Sequence, residues 1–200
     1  MGNLVTETPY SEITATLEVL DRCGVTCEDL KNFRKASSFV HFEVARLMKN
    51  GEVHGALPLP TFRVTVDYDK TVESLVKAGK YDYANSDITA QHFSTQRSGI
   101  VQIELHLLHF NRSISSDDVI KEMDKLGLRP AKPHELLTFG IQYPDEQRKY
   151  PIVALGSVWR RFDGDRCVLG LWGDSGDRDL GLPWWDGDWR SDYRFAAVRK

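Results

Sequence analysis

The sequence predicts an α+β protein: an N-terminal helical segment followed by a mixed domain with a largely antiparallel C-terminal sheet. Near the N-terminus, apolar residues recur every three or four positions, which is the spacing of a helix face. In residues 62–69 and 100–110 they alternate with polar residues, as in half-buried strands. Two Asp-Gly pairs near the C-terminus indicate turns between antiparallel strands. These patterns divide the 200 residues into a helical segment (1–50), a linker (51–60) and an α+β domain (61–200).

Three helices are predicted in the N-terminal segment. Ser11 and Thr26 are suitable N-caps because their side chains can accept a hydrogen bond from the first helical turn. Gly51 is a suitable end for the third helix. Residues 51–60 contain two glycines and two prolines, so this stretch is predicted to link the helices to the following domain.

The first half of the domain is predicted to contain two strands and several helices. Each strand has one apolar and one polar face, and the second strand places Leu105 on the first and His106 on the second. Helices are predicted at 70–79, 115–127 (with Ser115 and Asp118 forming a capping-box-like start) and 133–140 (with Pro133 in the first turn), and a short one near Ile88 capped by Asp87.

The C-terminal third is predicted to be antiparallel. Asp163-Gly164 predicts a hairpin with a two-residue turn, which would place Trp159 opposite Val168. A second Asp-Gly turn follows Trp185, and the chain ends in an alternating strand. That last strand has Phe195 and Ala197 on one face, and Ala196 and Val198 on the other.

Composition excludes several classes of function. The net charge is −3 and the pI is about 6.1, which makes nucleic acid an improbable partner because sequence-independent binding needs clustered cations. The three cysteines do not form a disulfide framework, and the start of the sequence has no secretory signal, so a cytoplasmic location is expected. The chain has no stretch of 18 apolar residues, and neither a metal nor a cofactor is predicted.

Several stretches resemble an uncharacterised protein family that recurs, often in several copies per genome, in candidate-phylum bacteria with small genomes. The segments are "AGKYDYANSDIT", "HFNRSISSDDV", "GLRPAKPHELL", "YPIVALGSVW" and "RFAAVRK". The resemblance covers about residues 62–200. It implies membership of that family but brings no activity with it.

A weaker resemblance is to the C-type-lectin-like fold of formylglycine-generating-enzyme-like proteins and retroelement-diversified receptors. The segments that carry it are "LRPAKPHELL", "LGSVW" and the final "RFAAVR". The resemblance implies that the first and last strands pair. The chain lacks the paired cysteines of animal lectins and of the catalytic type, so the resemblance implies only the scaffold.

A surface rich in tryptophan and arginine is the favoured candidate site. Such a surface can stack a base or a sugar ring, and it can equally form the hot spot of a protein interface. The alternative is that some tryptophans belong to the core and that the arginines are solvated. The candidate ligand-binding residues are Trp159, Arg160, Arg161, Trp172, Trp184, Trp185 and Trp189.

A polar site is the alternative. Glu104 and His106 are two positions apart on a predicted strand, so they share a face, and a carboxylate beside an imidazole can bind a metal or move a proton. Asn85 and Asp87, or His92, would complete such a site, although they can instead satisfy backbone groups in a turn. An enzyme would require these side chains to converge in one pocket.

The sequence therefore favours a small soluble binding or interaction protein that uses its C-terminal aromatic loops. Its partner would be an unknown protein or a small polar ligand. The alternatives are an enzyme of unknown reaction, and a regulatory or toxin–antitoxin-like module whose N-terminal helices contact a partner. The "GDSG" segment around Ser175 resembles a serine-protease motif, but it is followed by "DRD" and is better explained as a loop.

Overall fold

The structure, a computed structural model, describes residues 61–200 together with the single positions Thr26 and Lys31. Apart from these two positions, the predicted N-terminal helices and the linker lie outside the described residues. No helix within 61–200 is long and apolar enough to cross a membrane.

The described domain combines short helices with one large mixed sheet. The strands are β1 (Thr61–Asp67), β2 (Tyr83–Ala84), β3 (Ile100–Leu108), β4 (Ile114–Ser115), β5 (Leu128–Pro130), β6 (Ile152–Arg160), β7 (Arg166–Gly173), β8 (Arg178–Gly181), β9 (Asp188–Trp189) and β10 (Arg194–Arg199). The helices are α1 (Val72–Gly79), α2 (Ser116–Lys125), α3 (Pro133–Gln142) and α4 (Glu146–Lys149). Within this part of the chain, the sheet order is β1-β3-β10-β6-β7-β8-β2, with β5 also beside β10, and β4 pairs only with β9. Most pairs are antiparallel, so the predicted α+β class is confirmed.

Side chains cap the starts of two helices, and the Ser115 cap of α2 is the predicted one. The Thr71 side chain accepts a hydrogen bond from the Ser74 N–H at the start of α1, and Ser115 accepts one from Asp118 at the start of α2. The spacing of Val119, Ile120, Met123 and Leu126 predicts an apolar stripe along α2, which is confirmed in part: Val119 and Met123 are buried, whereas Leu126 is 47% exposed. Helix α3 continues to Gln142, two residues beyond the predicted end.

The sheet is covered on both faces. Strand alternation separates the two cores: in β10, Ala196 and Val198 belong to the first, and Phe195 and Ala197 to the second. Helices α1 and α3 pack on the first core, and α2 with the β4–β9 pair packs on the second. The predicted alternation of β3 and β10 is thereby confirmed, but the His106 face of β3, predicted to be polar, packs against the second core.

A bulge in β6 lets two strands share one side of β10. The first half of β10 pairs with β6 in parallel, and its second half pairs with β5. The register between β6 and β7 shifts after Ala154, and the N–H of Gly156 donates to the Ala131 carbonyl at 3.0 Å. Glycine is required at position 156 because a Cβ there would collide with that carbonyl oxygen.

The predicted two-residue hairpin turn between β6 and β7 is wrong. The hairpin closes with a three-residue loop (162–164), in which Gly164 has a φ of 97°. The extra residue shifts the register by one, so Trp159 lies opposite Cys167 rather than Val168.

The short helix predicted near Ile88 is also absent from the described chain. Residues 85–93 form turns instead, in which the Asn85 side chain accepts a hydrogen bond from the Asp87 N–H at 2.9 Å. The asparagine stabilises a local turn, which competes with the helix start that the sequence suggested.

Candidate ligand-binding site

A cleft of about 300 Å³ opens in the segment between β8 and β10. Its lining combines aromatic rings with carboxylates and one guanidinium. The lining residues are Pro183, Trp184, Asp186, Gly187, Asp188, Trp189, Arg190 and Tyr193. We call it the aromatic cleft.

Backbone pairing with the start of β7 decides which tryptophan reaches the surface. The Trp185 N–H donates to the Arg166 carbonyl at 2.7 Å, and Trp184 forms a single bridge with Cys167. Extended residues alternate in direction, so neighbours point to opposite sides. Trp184 is therefore 65% exposed, whereas Trp185 is only 7% exposed and belongs to the second core.

Trp189 forms a fixed base for the cleft. Its Nε1–H donates to the Ser116 hydroxyl at 2.9 Å, and that hydroxyl donates to the Trp185 carbonyl at 2.8 Å. The Trp189 ring also contacts Tyr193 and Phe195, with centroids 5.2 and 5.9 Å apart. Ser116, the first residue of α2, thus holds both buried tryptophans with one hydroxyl.

Replacing Ser116 by alanine is expected to destabilise the protein by about 1–3 kcal/mol, because the buried Trp189 N–H loses its acceptor. Urea unfolding followed by circular dichroism measures the change. The exposed Ser113, changed to alanine as the control, should stay within about 0.5 kcal/mol of the wild type. If the two variants were equally stable, the hydrogen bonds of the Ser116 hydroxyl to Trp189 and Trp185 would not contribute to stability as expected.

Ion pairs border the cleft. The Arg166 guanidinium donates to the Asp186 carboxylate and lies 5.5 Å from the Trp185 ring centroid. Hydrogen bonds from Arg166, and more weakly the charge of Arg160, hold the pKa of Asp186 below its ordinary value. Asp186 therefore remains an anionic acceptor at neutral pH.

The arrangement suits a small ligand that has both a flat face and polar edges. The exposed Trp184 ring supplies a surface for stacking. Asp186 and Asp188 can accept hydrogen bonds from a ligand, and Arg190, which already donates to Asp192, has further N–H groups that can donate to one. A fixed aromatic base with a few polar groups is typical of small-molecule sites.

The structure brings only part of the predicted aromatic surface together. Trp184 and Trp189 line the cleft, but Trp185 and Trp189 are buried rather than presented to solvent. Trp172 lies half-buried over Gly181. Trp159 is half-buried and stacks on His92, with ring centroids 4.2 Å apart.

The two candidate arginines lie at the β6–β7 hairpin and do not line the cleft. Arg160 donates to the Gly164 carbonyl at 3.1 Å, and Arg161 lies 3.4 Å from the Asp163 carboxylate. The predicted set lacked six lining residues: Pro183, Asp186, Gly187, Asp188, Arg190 and Tyr193. Their concentration around the Asp186-Gly187 turn was the available signal.

The predicted polar site does not assemble. Asn85 and Asp87 follow β2 at one edge of the sheet, whereas Glu104 and His106 lie on β3, with four strands between β2 and β3. His92 lies with the first pair rather than with β3, because its Nδ1 is 2.7 Å from the Asp87 carbonyl oxygen and its ring stacks on Trp159 of β6. No group of three or more histidine, cysteine or acidic side chains within 61–200 is arranged to hold a metal ion.

His106 has a structural environment. Its Nδ1 lies 3.0 Å from the Thr61 hydroxyl, and it sits opposite Ala197 on the face of the second core. Burial holds the pKa of His106 below its ordinary value, so the ring is neutral at pH 7.

The "GDSG" segment forms a turn between β7 and β8. The Asp174 side chain accepts hydrogen bonds from the N–H groups of Gly176 and Asp177, at 2.7 and 3.1 Å. Ser175 is exposed, and none of the described histidines is bonded to it. The loop interpretation agrees with this geometry.

Comparison with known proteins adds no relative. No protein-family model matches the chain, and no curated protein or solved structure matches it.

Proposed function

We propose that the protein is a binding protein whose aromatic cleft takes a small polar ligand with a ring face. The observation that carries the proposal is the exposed Trp184 ring beside a fixed Trp189 base. Solvent exposure of a large aromatic ring is unfavourable in the free protein, and a stacked ligand would remove it. The carboxylates at the rim favour a ligand whose edges donate hydrogen bonds, such as a sugar or a nucleoside.

Other expectations stay predictions. These are the cytoplasmic location, the resemblance to the candidate-phylum family and the C-type-lectin-like scaffold. The first described strand, β1, is separated from the last strand by β3, whereas the lectin resemblance implied direct pairing of first and last strands. The regulatory alternative concerns the N-terminal helices, outside the described residues. The enzyme alternative loses support because its residues lie apart.

Changing Trp184 to alanine is expected to weaken ligand binding about tenfold or more, since stacking on an aromatic ring contributes about 1–3 kcal/mol. The measurement is saturation-transfer difference NMR with a panel of soluble saccharides and nucleosides. Because Trp184 is exposed, the melting temperature should change little.

Phe162 provides the matched control. It is 97% exposed at the tip of the β6–β7 hairpin and lies outside the cleft, so Phe162→Ala should leave binding unchanged. Absence of binding by every probe, or equal binding by the Trp184→Ala variant, would contradict the proposal.

A further inference from the structure

A second cleft, of about 360 Å³, opens where β3, β5 and β10 meet. It shares no lining residue with the aromatic cleft. Its lining contains four cationic side chains but a single carboxylate. The lining residues are Arg97, Gln102, Ile103, Glu104, Arg129, Val198, Arg199 and Lys200.

Strand register determines which of these side chains share the interior face. Val198 lies opposite both Leu105 and Arg129, so these three share the face of the first core, as does Ile103 two residues before Leu105. Glu104 alternates to the other face, as does Arg199, which lies 3.9 Å from it. Ile103 and Val198 therefore form an apolar floor beside the Arg129 guanidinium, with the only acidic side chain of the lining directed to the opposite face.

A buried carboxylate orients the two arginines of this cleft. Arg129 donates to both oxygens of the fully buried Glu135, at 2.7 and 3.0 Å. Arg97 lies 3.8 Å from the same carboxylate, and its guanidinium carbon is 5.6 Å from the Tyr68 ring centroid. Two guanidinium groups thus share one carboxylate, which leaves a surplus positive charge.

The other charges nearby do not cancel this surplus. Arg199 is 3.9 Å from Glu104, and Lys200 is paired with Asp124. Arg97 remains the cation without a carboxylate of its own among the described residues, and its side chain is 45% exposed. Its free N–H groups are available to a ligand, since only Nη1 contacts Tyr68 and Glu135.

We propose that this Arg97–Arg129 cleft binds an oxyanion, either phosphate or carboxylate, that is carried on a ligand with an apolar part. Guanidinium groups form strong, geometrically defined hydrogen bonds with both oxyanions, and Glu135 has already fixed the position of Arg129 and lies 3.8 Å from Arg97. The apolar part would lie on the floor formed by Ile103 and Val198. This site is independent of the aromatic cleft.

The test is isothermal titration calorimetry at low ionic strength with four probes: phenyl phosphate, benzoate, inorganic phosphate and benzyl alcohol. We expect phenyl phosphate or benzoate to bind more tightly than inorganic phosphate, and benzyl alcohol not to bind. The tighter of the two aromatic anions identifies the source of the oxyanion. Arg97→Gln should weaken that anion about tenfold, because a charged hydrogen bond is lost.

Two further variants separate binding from general charge or folding effects. Lys77→Gln removes the same charge from an exposed position on α1 and should leave affinity unchanged. Ile103→Thr keeps both arginines but removes part of the floor, so it should reduce the preference for phenyl phosphate over inorganic phosphate. The proposal is overturned if neither aromatic anion binds, or if Arg97→Gln and Lys77→Gln weaken binding of the aromatic anion equally.

Discussion

Replacing Glu135 by glutamine is expected to lower the free energy of unfolding by about 3–5 kcal/mol. The Glu135 carboxylate is fully buried and accepts four hydrogen bonds, two from Arg129, one from the Tyr68 hydroxyl and one from the Lys132 N–H. A glutamine keeps the shape but leaves Arg129 without its counter-charge. It also directs amide hydrogens toward groups that are themselves donors.

Urea unfolding measures this loss. If the slope of the unfolding free energy against urea concentration is the same as in the wild type, the variant folds to an equally compact state. The matched control is Glu122→Gln, which breaks a partly exposed pair with Lys125 on α2 and should cost about 0.5 kcal/mol or less. Similar losses in both variants would contradict the assignment of Glu135 as the centre of the network.

The same carboxylate is expected to make stability depend on acid pH. Burial raises the pKa of Glu135, but the hydrogen bonds from Arg129, Lys132 and Tyr68 outweigh it and hold the pKa below its ordinary value of 4.5. A depressed folded-state pKa means that the contribution is fully present above about pH 4.5 and is lost as the pH falls through the folded-state value. The stability difference between wild type and Glu135→Gln should therefore shrink below pH 4.5.

Much of the fold follows from local sequence patterns. Alternation in β3 predicted that Leu105 and Leu107 face a core, and the serine before α2 predicted its start. These features depend only on residues that are neighbours in the sequence, so local patterns are enough to predict them. The failures at Ile88 and at the β6–β7 turn arise where a side chain or an extra loop residue favours a competing turn.

The Glu135 network was not predictable in the same way. An acidic residue in the first turn of a helix is normally explained by its favourable interaction with the helix dipole. Its hydroxyl partner Tyr68 is 67 positions away, and its cationic partner Arg129 belongs to another element. Burial of a charged group depends on such distant partners, and no local pattern records it.

The aromatic cleft shows an intermediate case. The sequence located the tryptophan-rich loop, but it did not determine which ring is exposed. That choice depends on the bridge between Trp184 and Cys167, a contact between an irregular segment and the start of β7. The buried Trp185 and Trp189 support the site through Ser116, a residue that sequence analysis treated only as part of a helix start.

Arg178 is expected to be the second position of large effect, because its buried guanidinium ties two helix ends to β8. It donates to the carbonyl of Gly79, the last residue of α1, at 2.8 Å, and to that of Gly140 in α3 at 2.7 Å. It also bonds the Gln147 side chain at 3.1 Å. Carbonyls near a helix C-terminus carry partial negative charge, so these two carbonyls stabilise the buried cation.

Aromatic packing completes this environment. The Arg178 guanidinium carbon lies 5.0 Å from the Tyr81 ring centroid, and that ring fills the space where side chains at Gly79 and Gly140 would otherwise lie. Burial raises the pKa of Tyr81 to about 12, so the phenol is neutral. The cation lies over the ring face, which is the favourable arrangement for a cation and an aromatic ring. The two glycines, the tyrosine and the arginine therefore form one interlocked unit.

Arg178→Met is expected to lower the free energy of unfolding by about 3–5 kcal/mol, because it retains the aliphatic length but leaves several buried acceptors unsatisfied. Arg178→Lys should recover part of the loss, since a single ammonium keeps the charge but cannot reach acceptors in three directions. Arg63→Met, on the exposed side of β1, is the control and should change stability by about 0.5 kcal/mol or less. Chemical unfolding measures the free energy of unfolding of the three variants. If Arg178→Met were as stable as the control, the helix ends would be held by packing alone.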